Sequence, residues 1–200
     1  MPKLGMEPIR KAALVNATIT EIGRVGSLDV TVSQIARRAG MSTALAHHYF
    51  GGKEQMFLAA MRHVLTIYGA EVRGALSAAR DPRARLDAIV RASFSAGNFR
   101  REVIGAWLNF YVLAQTVPEA RRLLGVYQRR LHSNLRACLR ALMVPGAGGS
   151  ASADEVAGAI GAMIDGAYLR EALKAGAPDA GGAVRMVELY INAELGEKGA

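Results

Sequence analysis

The sequence predicts an all-α protein in which a small N-terminal three-helix module is joined to a larger helical domain. Three observations carry this prediction. Apolar residues recur at helical spacing along most of the chain, no stretch alternates as a half-buried strand would, and Gly, Pro, Asn or a capping Ser or Thr punctuates the periodic stretches.

From Glu7 to Val25, Ala13, Leu14, Ala17 and Ile22 mark a first helix that Gly26 closes. Thr31 with Gln34 fits a capping box ahead of a short second helix whose face holds Ile35, Ala36 and Ala39. Gly40 stands where a left-handed turn would end that helix, and Ser42 is placed to cap a third helix over Thr43 to about Phe50. After Gly51 and Gly52, the run Met56, Phe57, Ala60, Met61, Val64, Leu65 and Tyr68 marks a fourth helix that could act as a lever between modules. Further helices are expected over Pro82 to Ala96, Glu102 to Gln115 and Glu119 to Leu142. PGAGGSAS, Pro145 to Ser152, reads as a flexible loop, and Ser152 with Glu155 repeats the capping box before a helix through about Ala175. A last helix is expected over Val184 to Leu195.

Composition narrows the function classes. The chain of 200 residues is 51% hydrophobic, yet no apolar run approaches the length of a membrane span and no secretory leader is evident, so a cytoplasmic protein is expected. A net charge of +8 favours an anionic partner, nucleic acid first and an acidic membrane surface second. Eight Lys and Arg against four Asp and Glu up to Arg62 place half of that excess in the N-terminal part. The one cysteine, Cys138, lies among Leu135, Leu139 and Leu142 and reads as a buried structural thiol. His47, His48, His63 and His132 lack metal-ligand spacing, and no phosphate-binding Gly-Lys-Ser/Thr motif or nucleophile–base arrangement is present. Neither an enzyme, a metal site nor a cofactor is expected.

The stretch Thr31 to Phe57, TVSQIARRAGMSTALAHHYFGGKEQMF, sets two short amphipathic helices about a glycine turn, the arrangement of a helix-turn-helix DNA reader spanning Thr31 to Phe50. At about 100° per residue Thr43, Ala44 and His47 share an outward sector while Leu45 and Ala46 turn inward. Small Thr43 and Ala44 allow close approach to the major groove, where a hydroxyl can hydrogen-bond and a methyl can meet thymine, and His47 can reach a base edge. Thr31, Ser42, Tyr49 and Lys53, with the helix ends, suit phosphate oxygens. Lys3, Arg10 and Lys11 either extend that contact or belong to a solvated tail. The six arginines Arg121, Arg122, Arg129, Arg130, Arg136 and Arg140 read as a solvated helix face before a second nucleic-acid surface.

With His48, Tyr49 and Phe50 followed by Lys53, this segment resembles the tetracycline-repressor (TetR) family. The resemblance implies a DNA-binding domain over residues 1–51 and a helical ligand-binding and dimerisation domain over 52–200. It further implies a homodimer that sets its third helices in successive major grooves, about 34–36 Å apart, of a palindromic operator on double-stranded DNA. The helices from Glu119 and from Asp154 would form its four-helix contact, with Gly158, Gly161 and Gly166 easing close approach. MPKLGM, IRK, QIARRAG, AWL, RRL, SNL and IDGAYLR are similar to the subgroup that represses choline uptake and glycine betaine synthesis. That likeness implies choline as the small-molecule inducer, another hydrophobic or cationic ligand being the alternative. A quaternary ammonium has no N–H donor and is held by ring faces with a carboxylate nearby. Trp107, Phe110 and Tyr111, at i, i+3 and i+4, could form one wall, and Asp165 with Tyr168 could add a carboxylate and a ring. Ordinary core packing is the other reading of the aromatic stripe, and an interface or cap that of Asp165 and Tyr168.

Overall fold

The computed structural model describes residues 5–143 and 151–196. Lys3 and most of the Gly-rich loop expected over Pro145 to Ser152 lie outside them. Among the described residues the fold is all-helical: α1 Met6–Val25, α2 Val32–Arg38, α3 Thr43–Phe50, α4 Lys53–Ala78, α5 Pro82–Ser93, α6 Arg101–Thr116, α7 Pro118–Leu142, α8 Ala153–Leu173 and α9 Ala180–Glu194. No helix there is long and apolar enough to cross a membrane.

The chain divides into two compact units. The first holds the residues up to Leu65 together with Arg101–Leu123, and the second holds Thr66–Arg100 with the remainder from Leu124. In the first unit α1 packs on α6 and α2, and α2 on α3. Leu14, Ile22, Ile35, Ala46, Met61, Ile104 and Phe110 are among its fully enclosed side chains. Glu21, nine-tenths buried or more, accepts hydrogen bonds from Arg38 of α2 and from Arg24 one turn along α1. Burial pushes the Glu21 carboxyl up, but the hydrogen bonds and charges of Arg38 and Arg24 outweigh it and hold the group below its ordinary range. Arg62 of α4 pairs with Glu119 at the start of α7 in the same unit.

In the second unit α9 packs against α8 and α5. Leu86, Ile89, Leu135, Leu139, Ile160, Val187 and Ile191 are enclosed, and polar ties from Arg83 to Asn192 (2.6 Å) and Arg91 to Glu188 (2.8 Å) fasten α5 to α9. Cys138 is buried as expected; burial pushes its thiol up and Arg85 only partly offsets this.

Both capping boxes form. Thr31 Oγ1 accepts from the Gln34 amide at 3.2 Å while Gln34 Oε1 accepts from the Thr31 amide at 2.7 Å, and Ser152 with Glu155 repeats the pattern. Three boundaries differ from expectation. The fourth helix runs on to Ala78, past the last residue of its apolar stripe at Tyr68, because Val72 is buried and Glu71 receives hydrogen bonds from Ser95 and Asn98. The same donors end α5 at Ser93 rather than Ala96 by drawing the chain into a turn. The last helix starts at Ala180, where Asp179 caps the Gly182 amide at 2.8 Å.

Candidate nucleic-acid interface and ligand site

The reader is built by local hydrogen bonds. Gly40, at φ 68°, takes the left-handed conformation that a side chain resists, and its neighbour Met41 donates back to the Ala36 carbonyl at 2.9 Å, closing α2. Ser42 then accepts from the Leu45 amide at 3.2 Å and starts α3 in a new direction. Ala46 is fully buried, Leu45 and Thr43 are half-buried, and Ala44 and His47 are exposed. A hydroxyl, a methyl and an imidazole therefore sit together on the outer face of α3. His47 Nδ1 lies 3.1 Å from the Gly51 carbonyl, which can only accept, so Nδ1 carries the hydrogen. In the neutral ring Nε2 is then an acceptor, suited to the amino group of adenine or cytosine in the major groove.

Polar groups fringe that face. Thr31, Ser42 and Lys53 are exposed, and Tyr49 is half-buried. The Lys53 ammonium lies 5.6 Å from the Phe57 ring, which orders its stem. Lys11 of α1 brings its ammonium 5.9 Å from the Tyr49 ring and pairs with Glu7 at 2.6 Å. Hydrogen bonding from Lys11, then its charge, hold the Glu7 carboxyl below its ordinary range. Lys11 thus belongs to the structured head rather than to a tail.

The aromatic residues divide between the units. Trp107, Phe110 and Tyr111 fall in the first, where Trp107 packs edge-on against Phe110 (6.4 Å) and Tyr111 (5.8 Å); Phe110 has no exposure at all. Asp165 and Tyr168 fall in the second, within a larger cluster. Tyr168 packs edge-on against Phe99 at 4.9 Å and lies 6.2 Å from Phe94, and those two phenyl rings meet at 5.0 Å. Tyr68 meets Tyr127 at 5.2 Å. Ser93 joins the two groups of rings: the Tyr168 hydroxyl donates to its carbonyl at 2.7 Å, and the Tyr68 hydroxyl lies 3.3 Å from its Oγ. Burial first, with the charge of Asp165 adding to it, pushes the Tyr68 phenol up to about 12 against the pull of Ser93. The charge of Asp165 thus bears on the Tyr68 phenol.

Comparison with known proteins places this geometry. The description "BetI-type transcriptional repressor, C-terminal" matches residues 82–196, and "Bacterial regulatory proteins, tetR family" matches residues 14–60. An HTH-type transcriptional regulator BetI of Brucella suis is 51% identical over 98% of this chain and 96% of its own length. The chain belongs to the TetR family, with a C-terminal domain of the BetI type. Among solved structures, a transcriptional regulator of Pseudomonas aeruginosa PAO1 is 26% identical with a TM-score of 0.79, the match covering 97% of this chain and 93% of that one. A regulator of Saccharomonospora viridis, solved in complex with choline, shares the fold at 22% identity and a TM-score of 0.79 over 91% of this chain and 95% of its own.

Four rings that the fold gathers with Tyr168 and Ser93 were passed over by sequence reasoning: Tyr68, Phe94, Phe99 and Tyr127. Tyr68 stood only as one more apolar position on the fourth helix, and Tyr127 was not singled out on its arginine-rich one. The available signal was SFSAGNF, where two phenylalanines flank a short polar turn that exposed loops do not need.

Proposed function

We propose that this BetI-type regulator acts in the cytoplasm as a homodimeric repressor of genes for choline uptake and glycine betaine synthesis, and that choline relieves the repression. One observation carries the ligand assignment: within one unit, two groups of rings, Tyr68 with Tyr127 and Tyr168 with Phe94 and Phe99, meet at Ser93, and the charge of Asp165 bears on the Tyr68 phenol among them. A quaternary ammonium, which needs ring faces and a nearby negative charge but no hydrogen-bond acceptor, matches that chemistry. The choline complex of the Saccharomonospora viridis regulator supports the same reading. Asp165 and Tyr168, joined by Tyr68, Tyr127, Phe94 and Phe99, are assigned to the cation. Trp107, Phe110 and Tyr111 belong to the first unit and Asp165 to the second, and we assign the three rings to the core of the first.

On the DNA side, Thr43, Ala44 and His47 read base edges, while Thr31, Ser42, Tyr49 and Lys53 hold phosphates. Dimerisation draws support from α8 and α9 rather than from α7. Leu169, Leu173 and Leu189 are 51%, 80% and 66% exposed, and Gly158 and Ala162 lie on the same face of α8 as the first two. The outer side of α7 carries Arg122, Arg129, Arg130 and Arg140 instead.

Binding to the DNA directly upstream of this protein's own coding sequence, against a scrambled duplex at fixed near-physiological salt, tests the proposal. Specific binding that choline weakens is expected. Specific binding indifferent to choline, and weakened by another cation or hydrophobe, would reassign the inducer; no preference over the scrambled duplex would remove the operator assignment.

A further inference from the structure

We infer that the backbone contact between Gly23 of α1 and Glu102 and Gly105 of α6 couples the ligand cluster to the DNA reader. The inference rests on the proposal that a ligand in the ring cluster controls operator binding, and it names the element that carries the signal.

Two glycines let the helices touch main chain to main chain. A Cβ on Gly23 would lie 2.2 Å from the Glu102 carbonyl oxygen and 2.6 Å from its Cα, and a Cβ on Gly105 would lie 3.0 Å from the Gly23 Cα. No side chain stands between them to absorb a displacement by changing rotamer. A shift of the opening turns of α6 is therefore passed directly to the last turn of α1, as close-packed interiors transmit strain.

Each end of this contact leads to a functional element. Towards the ligand, Glu102 follows Phe99 by three residues, and Phe99 touches both Phe94 and Tyr168. Glu71 grips the turn that bears the two phenylalanines through Ser95 and Asn98, and Asn98 is 3% exposed. A cation that spreads these rings must move a short, clamped segment that runs directly into α6. Towards DNA, Glu21 precedes Gly23 by two residues and holds Arg38, the last residue of α2, which the Gly40 turn joins to α3. From Phe99 to the reader every link is covalent, a main-chain contact or the ion pair that buried Glu21 makes with Arg38. Helix α4, the lever suggested by the sequence, is the rival carrier.

The test compares the full-length wild type with Gly105→Ala, Gly23→Ala and, as a control that keeps the main-chain contact, Glu102→Ala. Gly105→Ala asks its neighbour to yield by only a few tenths of an ångström and is expected to fold, which circular dichroism and choline calorimetry verify. Amide hydrogen exchange is followed across residues 94–105 with and without the upstream DNA, and operator Kd is measured with and without saturating choline. In the wild type and in Glu102→Ala, DNA slows exchange over 94–105 and choline weakens operator binding about tenfold or more. Gly105→Ala keeps its choline affinity, loses the DNA-dependent protection and reduces the choline effect to about threefold or less. Wild-type exchange over 94–105 that ignores DNA, or a Gly105→Ala protein with the full wild-type response, overturns the inference and leaves α4 as the carrier. A wild type whose exchange responds to DNA through Gly105, but whose operator affinity ignores choline, retains the coupling and discards choline.

Discussion

Replacing Tyr168 by Phe deletes one oxygen and separates the helix-end contact seen in the structure from the cation contact proposed for this side chain. The hydroxyl donates to the Ser93 carbonyl at 2.7 Å in a buried setting. Ser93 is the last residue of α5, so its carbonyl is among the four that a helix cannot satisfy from within. Without the hydroxyl that acceptor loses its buried donor, which costs about 1–3 kcal/mol. For a chain of this size each kcal/mol lowers Tm by about 2–4 °C, so scanning calorimetry should show a fall of about 2–12 °C. The ring itself remains against Phe99, so choline affinity by isothermal titration should stay within about threefold, whereas Tyr168→Leu, which removes a ring face worth up to about 2 kcal/mol, should weaken it about tenfold or more. An unchanged Tm in Tyr168→Phe would refute the helix-end role. Wild-type choline affinity in Tyr168→Leu would refute the cation site, whatever the Tm.

Four further outcomes follow from particular groups. Asp165→Asn should let the Tyr68 phenol, now held up to about 12, ionise at lower pH, read as phenolate absorbance, and should weaken choline binding. Because Tyr68 is raised on folding, the stability it contributes is complete below its ordinary value of 10.0 and is lost as pH rises through about 12, so wild-type denaturant midpoints should fall across that interval. Glu21 has the opposite sign: its lowered carboxyl contributes stability present above its ordinary value of 4.5 and lost as pH falls through the folded value, a loss that acid titration of Glu21→Gln should lack. Lys53→Ala should weaken operator and random DNA alike and reduce the salt slope by about one, while Thr43→Ala and His47→Ala change discrimination between operators; equal effects of all three would contradict the division into readers and phosphate contacts.

The parts of the fold legible in the sequence are those fixed by neighbours a few residues apart. Thr31 with Gln34, Gly40, Ser42, and Ser152 with Glu155 each satisfy backbone groups within their own turn, so their residue types announce the boundaries they make. The extension of α4 to Ala78 depends on Ser95 and Asn98, more than twenty residues from Glu71, and no local pattern contains that dependence. The ring cluster was half legible for the same reason. Asp165 and Tyr168 lie one helical turn apart and could be read as a pair, whereas Tyr68, Phe94, Phe99 and Tyr127 join them only through the tertiary fold. The stripe Trp107, Phe110 and Tyr111 showed the converse: its spacing was right for a shared helix face, but spacing alone does not say whether that face meets a ligand or a neighbouring helix.

The composition of the reader explains why symmetry matters to this regulator. One α3 presents a hydroxyl, a methyl and a single imidazole acceptor, and none of these makes the bidentate contact that an arginine or asparagine makes with a base. Since a good bidentate pair is worth about 1–3 kcal/mol of discrimination, one such reader separates sequences weakly. Basic residues cannot supply the difference, because phosphate contacts strengthen binding to every duplex. Two readers held at a fixed distance add their modest preferences within one binding event and reject half-sites at the wrong spacing. In the proposed dimer the exposed leucines of α8 and α9 would join the two subunits, while the pair that buried Glu21 makes with Arg38 ties each reader to its own α1. On the proposed mechanism, control by a ligand would require no loss of DNA affinity at either reader, only a displacement of α1 that spoils the distance between them.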